Sequence, residues 1–272
     1  MLLIIEALLL ILAALGQDHR AAAAVAVEGQ VFPLDMALDS VDDQYMGCRK
    51  KMEELVETKY LKNELKKSPD FNTAWKKGED FVKNRNYKNL QKNHAIAIFV
   101  YTDTTVYEYF NPATRRDKEQ YKHKTYEWYS LHFLLTEAVQ ILKKTQNQCY
   151  STFRGTNVEF YKYVLNKEVR FGSFTSSSLN RKSTRFFGNV SCFEIHTCEG
   201  ADVTKYSKLD REKEVLIPPY ETFKVTDVKT KEEQKGLWCE TVFTLESTGT
   251  RSDLNCALFK KPPKTKTMYY VL

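Results

Sequence analysis

The hydrophobic pattern of this chain changes at Cys149, and that change constrains the fold more than any other feature. Before it, apolar residues recur at spacings of three and four over 52–65 and again over 128–144, which predicts amphipathic helices. His132, inside the second of these helices, is expected to be a packed or surface imidazole. After Cys149, short apolar runs alternate with turn residues, which predicts β-strands. The chain is therefore predicted to be α+β, with a helical N-terminal half packed on a mainly antiparallel, two-sheet β core.

The same patterns predict the bounds of single elements. Ser68 and Pro69 interrupt the first helix, and a second helix is predicted over 71–82. The continuous apolar run 95–101 predicts a strand, whereas 106–110 fits either a strand or the start of a helix. Further strands are predicted over 152–154, 169–174, 190–197, 215–217, 221–228, 237–245 and 255–259.

Composition excludes some classes of protein. Of the 272 residues, 42% are hydrophobic and 13% are aromatic, which excludes a disordered chain and allows a sizeable core. The formal charge is +6, and the lysines are spread along the sequence. Dispersed basicity of this size is weak evidence for nucleic-acid binding, because solubility or a polyanionic surface explains it equally well. We expect no nucleic-acid partner.

Both ends of the chain suggest export from the cytoplasm. Residues 1–16 are apolar and end in small residues, which predicts a signal peptide cleaved near Gly16. The alanine-rich stretch that follows is compatible with a short pro-piece to about residue 30. Residues 259–272 lack the hydrophobic tail of a GPI signal. We therefore expect a secreted or secretory-granule protein without a membrane anchor.

The cysteine count agrees with export. The chain has six cysteines, an even number that predicts disulfides in an oxidising compartment: Cys48, Cys149, Cys192, Cys198, Cys239 and Cys256. Asn189 begins the only N-glycosylation sequon, and we expect a glycan there.

Three short motifs carry groups suited to chemistry. Glu212 and Glu214 precede a predicted strand, and a strand beginning near Glu212 would point both carboxylates to one side. Such a pair suits reaction at a sugar carbon, although alone it is more typical of a solvated charged turn. Arg154 beside Gly155 at a strand end fits phosphate binding, but strand-end arginines are common. The hydroxyl cluster 175–178, taken alone, indicates an ordinary polar turn.

The order of these motifs resembles that of the arginine-specific mono-ADP-ribosyltransferases of the vertebrate ecto-enzyme family, which share an R-S-E fold core with clostridial toxins. The matching segments are 150–156, 170–178, 212–218, 94–102, 131–138 and the region up to Cys256. Without a GPI tail, the chain is most similar to the secreted avian members. The resemblance implies a monomer with one catalytic domain over 31–272, comprising a helical part at about 35–93 and an NAD-binding α/β core at about 94–260.

The resemblance also implies that NAD is the co-substrate, with no metal, and it assigns the site residues. Glu214 would stabilise an oxocarbenium-like ribose as the cationic nicotinamide leaves. Arg154 would anchor the pyrophosphate, and Gly155 would offer backbone contacts to the nicotinamide amide. Ser176 would hold Arg154 and Glu214 in position. Phe174 is expected either to pack around the nicotinamide or to belong to the core.

Glu212 is the residue that the resemblance assigns to the acceptor. A guanidinium is protonated at physiological pH, so it needs a base before it can attack. The acceptors would be arginine-bearing proteins or free guanidino compounds. Two alternatives stay open: an NAD glycohydrolase with water as its main acceptor, and a secreted binding module without catalysis. The family often has an aromatic residue shortly before the pair, where this chain has Leu209, with Tyr206 farther back.

The pairing of four cysteines is likewise implied by the resemblance, as Cys48–Cys256 and Cys149–Cys198. Cys192 and Cys239 fall on two predicted strands. Either a third bond or two buried thiols is compatible with neighbouring strands.

Overall fold

The structure, a computed structural model, describes residues 30–103 and 105–259. The predicted signal peptide, the pro-piece up to residue 29 and the C-terminal tail from residue 260 lie outside these residues. Helices dominate the described chain up to Gln146, and strands dominate the remainder. The helices are α1 Arg49–Leu55, α2 Leu61–Lys67, α3 Pro69–Val82, α4 Lys92–Thr102, α5 Tyr107–Arg116, α6 Lys118–Lys122 and α7 Tyr129–Gln146.

The amphipathic helices are found where the spacing predicts them. The first prediction corresponds to α1 and α2, which a π-helical segment, Val56–Tyr60, joins without a break. Ser68 caps the N-terminus of α3, because its Oγ accepts a hydrogen bond from the Phe71 backbone N–H at 3.2 Å, and Pro69 occupies the first helical position. The sequence left open whether His132, in α7, is packed in the core or lies at the surface. The side chain is fully buried, so it is packed in the core.

The predicted strand 95–101 is wrong, because this segment lies inside helix α4. Every residue from Ala95 to Tyr101 is buried. A helix that is apolar on all sides shows no 3.6-residue period, so its sequence resembles that of a buried strand. Helices α3 and α7 pack against it. The adjoining segment 106–110 proves to be the start of a helix, α5.

Among the described residues, the strands form an eight-stranded and a two-stranded sheet. The strands are β1 Val31–Phe32, β2 Tyr150–Thr156, β3 Glu159–Phe160, β4 Glu168–Val169, β5 Thr175–Ser178, β6 Ser191–Thr197, β7 Ala201–Asp202, β8 Glu214–Ile217, β9 Glu221–Thr230 and β10 Thr241–Thr250. The larger sheet has the order β4-β9-β10-β6-β2-β5-β8-β7. Its pairs are antiparallel except β6 with β10, so the sheet is mainly antiparallel, as predicted.

Several predicted strands differ from those observed. The prediction 169–174 covers only the end of β4, after which the chain turns and enters β5. The hydroxyl cluster 175–178 is therefore a strand and not a turn, because its backbone pairs with β8. A loop occupies 237–240, so β10 begins later than predicted, and 255–259 contains a 3₁₀ turn instead of a strand.

The large sheet is nearly divided between β2 and β5, which share a single residue pair, Phe153 with Ser178. Five strands lie on one side of this junction and three on the other, which corresponds to the predicted two-sheet core. Phe174 and Leu216, from the three-strand side, belong to the same hydrophobic core as α4 and α7. The helical half thus supports the three strands, and the weak β2–β5 junction leaves space for a pocket.

Three disulfides link the described residues: Cys48–Cys256, Cys149–Cys198 and Cys192–Cys239. The first two are the pairs implied by the resemblance, and the third decides the open alternative in favour of a bond. Asp43 has a ligand atom within 4.8 Å of the sulfurs of the first bond, and His196 within 4.8 Å of those of the second, but a disulfide sulfur offers no thiolate to a metal. No helix in the described part of the chain is both long and apolar enough to cross a membrane.

Candidate active site

A pocket lies where β2 and β5 separate. Its walls come from β2, β5, the start of β8 and the 3₁₀ segment Arg181–Phe186 with the residues that follow it. The lining residues are Phe153, Arg154, Gly155, Ser176, Ser177, Ser178, Thr184, Phe187, Glu212 and Glu214. Five of the residues selected from the sequence are thus brought together from separate elements: Arg154, Gly155, Ser176, Glu212 and Glu214.

Glu214 is the first residue of β8, and its side chain is held from two directions. Ser176 Oγ donates to Oε1 at 2.5 Å, and Ser207 Oγ donates to Oε2 at 3.0 Å. Glu214 is only 1% exposed. Hydrogen bonds to both oxygens offset part of the cost of burying a carboxylate, and they fix its orientation.

Arg154 reaches the same serine from the opposite strand, β2. Its Nη1 donates to the backbone carbonyl of Ser176 at 2.7 Å. Ser176 therefore binds Arg154 through its backbone and Glu214 through its side chain. Burial lowers the pKa of Arg154, but a guanidinium remains charged at any physiological pH. One residue thus fixes a cation and a carboxylate in the same pocket.

Arg115, on α5, is a second guanidinium near this site that the sequence analysis missed. Its Nη2 donates to Ser173 Oγ at 2.8 Å. Desolvation, together with the nearby charge of Arg154, lowers the pKa of Arg115. Two guanidinium groups that repel each other in this way favour an anion such as pyrophosphate. The sequence hides this role, because Arg115 and Arg116 match the ordinary basic end of a helix.

Glu212 does not lie on the strand, which the spacing argument had required. Asp210–Glu212 forms a 3₁₀ turn, Lys213 has a left-handed backbone with φ of 47°, and β8 begins at Glu214. Ser178 Oγ donates to the backbone carbonyl of Glu212 at 2.5 Å. Both glutamates line the pocket, but a turn brings them together and not the two-residue period of a strand.

Gly155 allows the neighbouring wall of the pocket to pack onto β2. A Cβ at this position would lie 2.4 Å from the carbonyl oxygen of Gly188 and 2.7 Å from that of Thr184. Any larger residue would therefore push the 3₁₀ segment away. Phe187, at the end of that segment, gives the pocket an aromatic wall. No motif surrounds Phe187, so the sequence alone does not indicate this position.

Phe174 lies in the core and does not line the pocket. Its ring is 1% exposed and stacks on Phe110, with ring centroids 5.8 Å apart. The hydroxyl of Tyr101 donates to its backbone carbonyl at 2.8 Å. Of the two expectations for Phe174, the core position describes its ring, and packing against a nicotinamide in this pocket does not.

Comparison with known proteins identifies related sequences over most of the chain. The model of the family described as NAD:arginine ADP-ribosyltransferase matches residues 34–246. Ecto-ADP-ribosyltransferase 4 of Homo sapiens is 35% identical over 244 residues, which are 85% of this chain and 74% of the relative. NAD(P)(+)--arginine ADP-ribosyltransferase 2 of Gallus gallus is 34% identical over 239 residues, which are 84% of this chain and 73% of the relative.

Solved structures have the same α+β fold. The eucaryotic mono-ADP-ribosyltransferase ART2.2 matches with a TM-score of 0.71 and 31% identity, over 84% of this chain and 100% of that one. A mutant of ART2.2 in complex with NADH matches over the same shares, with a TM-score of 0.69 and 30% identity. Together with the family match, these similarities show that the chain belongs to the NAD:arginine ADP-ribosyltransferase family.

Proposed function

We propose that this chain transfers ADP-ribose from NAD to the guanidino group of arginine. The bond between nicotinamide and ribose C1′ breaks, and nicotinamide leaves with the bonding electrons. A guanidino nitrogen then bonds to C1′ and gives up a proton. The observation that carries the proposal is the buried carboxylate of Glu214, which is fixed by Ser176 beside the cationic Arg154.

NAD binding is assigned to the cationic side of the pocket and to its backbone. Arg154 and Arg115 attract the pyrophosphate, which a guanidinium binds through paired hydrogen bonds. The backbone of Gly155 lies at the wall and is available to the nicotinamide amide. The ring of Phe187 is available to pack against the nicotinamide. Ser176 binds both Arg154 and Glu214, so it fixes the phosphate-binding side of the pocket relative to the ribose-binding side.

Glu214 acts on the ribose. Nicotinamide is already a cationic leaving group in NAD, so no general acid is needed. Bond breaking leaves an oxocarbenium-like ribose, and the carboxylate stabilises its positive charge through the ribose 2′-hydroxyl. Because Glu214 is buried, this electrostatic interaction is stronger than it would be in water.

Glu212 acts on the acceptor. It is partly exposed on the 3₁₀ turn that borders the pocket, where its charge attracts a cationic arginine side chain. As the guanidino nitrogen attacks C1′, the carboxylate of Glu212 accepts the proton that must leave. The two glutamates therefore have separable roles, which different substitutions should distinguish.

The test is incubation of the chain with NAD labelled in its ADP-ribose part and with a free guanidino acceptor such as agmatine. We expect labelled adduct together with nicotinamide, and any excess of nicotinamide over adduct measures hydrolysis. Nicotinamide without adduct would make the chain an NAD glycohydrolase. Release of neither product would mean a binding module without catalysis. Glu214→Gln gives the background for each measurement.

We further propose that residues 31–272 form a single catalytic domain, with the helical part at about 35–93 and the NAD-binding core at about 94–260. A hydrophobic core shared by helices and strands supports a single unit. The three disulfides fit an extracellular protein. In that setting the chain acts as a secreted monomer on arginine-bearing proteins, with a glycan on the exposed Asn189.

A further inference from the structure

The carboxylate of Glu214 is bound by a second serine that belongs to no recognised motif. Ser207 lies in the segment 203–213 between β7 and β8, here called the acceptor loop because it also carries Glu212. Ser207 Oγ donates to Glu214 Oε2 at 3.0 Å and accepts from the Leu209 backbone N–H at 3.1 Å. Ser207 is 2% exposed. This hydrogen bond is therefore shielded from competition by water.

The acceptor loop is anchored to the helical half on either side of Ser207. Lys208 Nζ forms an ion pair with Asp103, and the Lys208 backbone N–H donates to Thr102 Oγ1 at 2.9 Å, both at the end of α4. The Tyr206 hydroxyl donates to the Tyr87 backbone carbonyl at 3.1 Å. Residues before and after Ser207 are thus tied down, which fixes where its hydroxyl can point.

We infer that Ser207 is a positioning residue for Glu214, through which the acceptor loop controls the bond-breaking step. The inference rests on the proposed function. Ser176 orients one carboxylate oxygen from β5, and Ser207 orients the other from the loop. The terminal torsion of a glutamate is soft, so a hydrogen bond to each of the two oxygens narrows the orientations that the carboxylate takes. A small misplacement of a charge that stabilises the transition state costs much of its effect.

The direct test compares Ser207→Ala with Ser207→Thr, which keeps the hydroxyl. Nicotinamide release is measured with and without a guanidino acceptor. We expect Ser207→Ala to lower kcat for transfer and for hydrolysis by the same factor, about 10-fold or more, as for a lost hydrogen bond to a charged group. The KM for NAD should change by no more than about 2-fold, because Arg154 and Arg115 are unaltered. Ser207→Thr should recover most of kcat.

Ser247→Ala is a control for the loss of a serine–glutamate hydrogen bond outside the pocket. Ser247 Oγ donates to Glu221 Oε1 at 2.7 Å, and Glu221 is fully buried outside the pocket. This variant should lower the melting temperature, as any lost buried hydrogen bond does, and leave kcat unchanged. A role of Ser207 in stability alone would make the two variants behave alike.

A second pair of variants tests the anchor and leaves the Ser207 hydroxyl in place. Lys208→Met removes the charge that binds Asp103, whereas Lys205→Met alters an exposed lysine of the same loop. We expect Lys208→Met to lower kcat by a smaller factor than Ser207→Ala, and Lys205→Met to have no effect. This pair also tests the inference if Ser207→Ala fails to fold. Equal kcat values for the two lysine variants would then overturn it.

Three further results would overturn the inference while leaving the proposed function intact. These are wild-type kcat in folded Ser207→Ala, an equal loss in Ser207→Thr, and an equal loss in Ser247→Ala. A folded wild-type chain that releases no nicotinamide would refute the proposed function itself, and the inference with it. The two failures are therefore distinguishable.

Discussion

Glu214→Gln tests the proposed mechanism with the smallest structural change. The amide has the shape of the carboxylate, and its oxygen can still accept from Ser176, which donates to the native group at 2.5 Å. Its NH₂ group meets Ser207, whose hydroxyl can rotate and accept instead of donating. The pocket should therefore keep its geometry while the negative charge beside the ribose is lost.

The expected magnitude follows from the burial of that charge. Removal of one oriented partner of a developing charge raises the activation free energy by about 2.7–4 kcal/mol, or about 100- to 1000-fold in kcat. Glu214 is 1% exposed, and a charge that is removed from water interacts more strongly, which favours the upper part of that range. Transfer and hydrolysis both require the same bond to break, so both should fall by the same factor.

The assay measures nicotinamide and guanidino adduct in parallel, with the Kd of NAD from calorimetry. We expect Kd to change little, because the arginines that attract the pyrophosphate are unaltered. Glu221→Gln is the matched control: its carboxylate is also buried and accepts from Thr197 and Ser247, but it lies outside the pocket. Turnover within about 10-fold of the wild type in a folded Glu214→Gln would refute the assigned role.

Three other predictions concern the acceptor, the third disulfide and pH. Glu212→Gln should lower arginine transfer by about 100-fold or more while hydrolysis survives, and equal losses would instead assign Glu212 to bond breaking. Replacement of Cys192 and Cys239 by alanine should raise the KM for NAD, because the segment before β10 hydrogen-bonds 189–190 beside the pocket wall; an unchanged KM would contradict this. Burial raises the pKa of Glu64 from 4.5 to about 8, so the folded state binds more protons than the unfolded state between these values. The contribution of Glu64 to the free energy of unfolding should therefore fall as pH rises through this window, so urea denaturation should show the wild type losing stability relative to Glu64→Gln over this range. Parallel pH profiles for the two proteins would disprove the shift.

The helices that could be predicted from the sequence are those with one polar face. Helices α1, α2 and α3 have an exposed side that breaks the apolar run into a 3.6-residue period. Helix α7 is largely buried, but polar residues such as Ser130 and Glu137 interrupt its apolar ones and keep the period visible. Helix α4 has no such side over 95–101, so its period vanished and a strand was predicted. The information that would have corrected this prediction lies in the packing of α3 and α7 around it, which is not local in sequence.

Strand β5 was wrongly predicted to be a turn, for the opposite reason. Its residues, 175–178, are all hydroxyl-bearing, a composition typical of turns. In the structure these hydroxyls bind groups of neighbouring elements: Ser176 binds Glu214, and Ser177 Oγ donates to the Val215 backbone carbonyl at 2.9 Å. A strand of serines is stable here because its partners are supplied by β8, far away in the sequence.

Sequence motifs indicated the site residues that lie at the ends of strands, but not those that approach the pocket from other elements. Arg115 and Ser207 approach the pocket from a helix and from a loop, and neither has a spacing that marks it. Only the folded chain shows that desolvation and the charge of Arg154 lower the pKa of Arg115, or that Ser207 binds a carboxylate. Sequence patterns therefore indicated the main chemical groups of the site, but not all of the residues that surround and position them.

The two glutamates show why the residues that position a catalytic group matter. Glu214 begins a strand and is gripped through both carboxylate oxygens, which suits a charge that must meet the same ribose in every turnover. Glu212 stands on a partly exposed 3₁₀ turn, and Ser178 fixes its backbone. An acceptor-selecting carboxylate has to meet arginines on proteins of different shape, which a side chain at the pocket border can do. Ser207 lies in the loop of Glu212 and binds the carboxylate of Glu214, so under the proposed roles it couples acceptor binding to bond breaking.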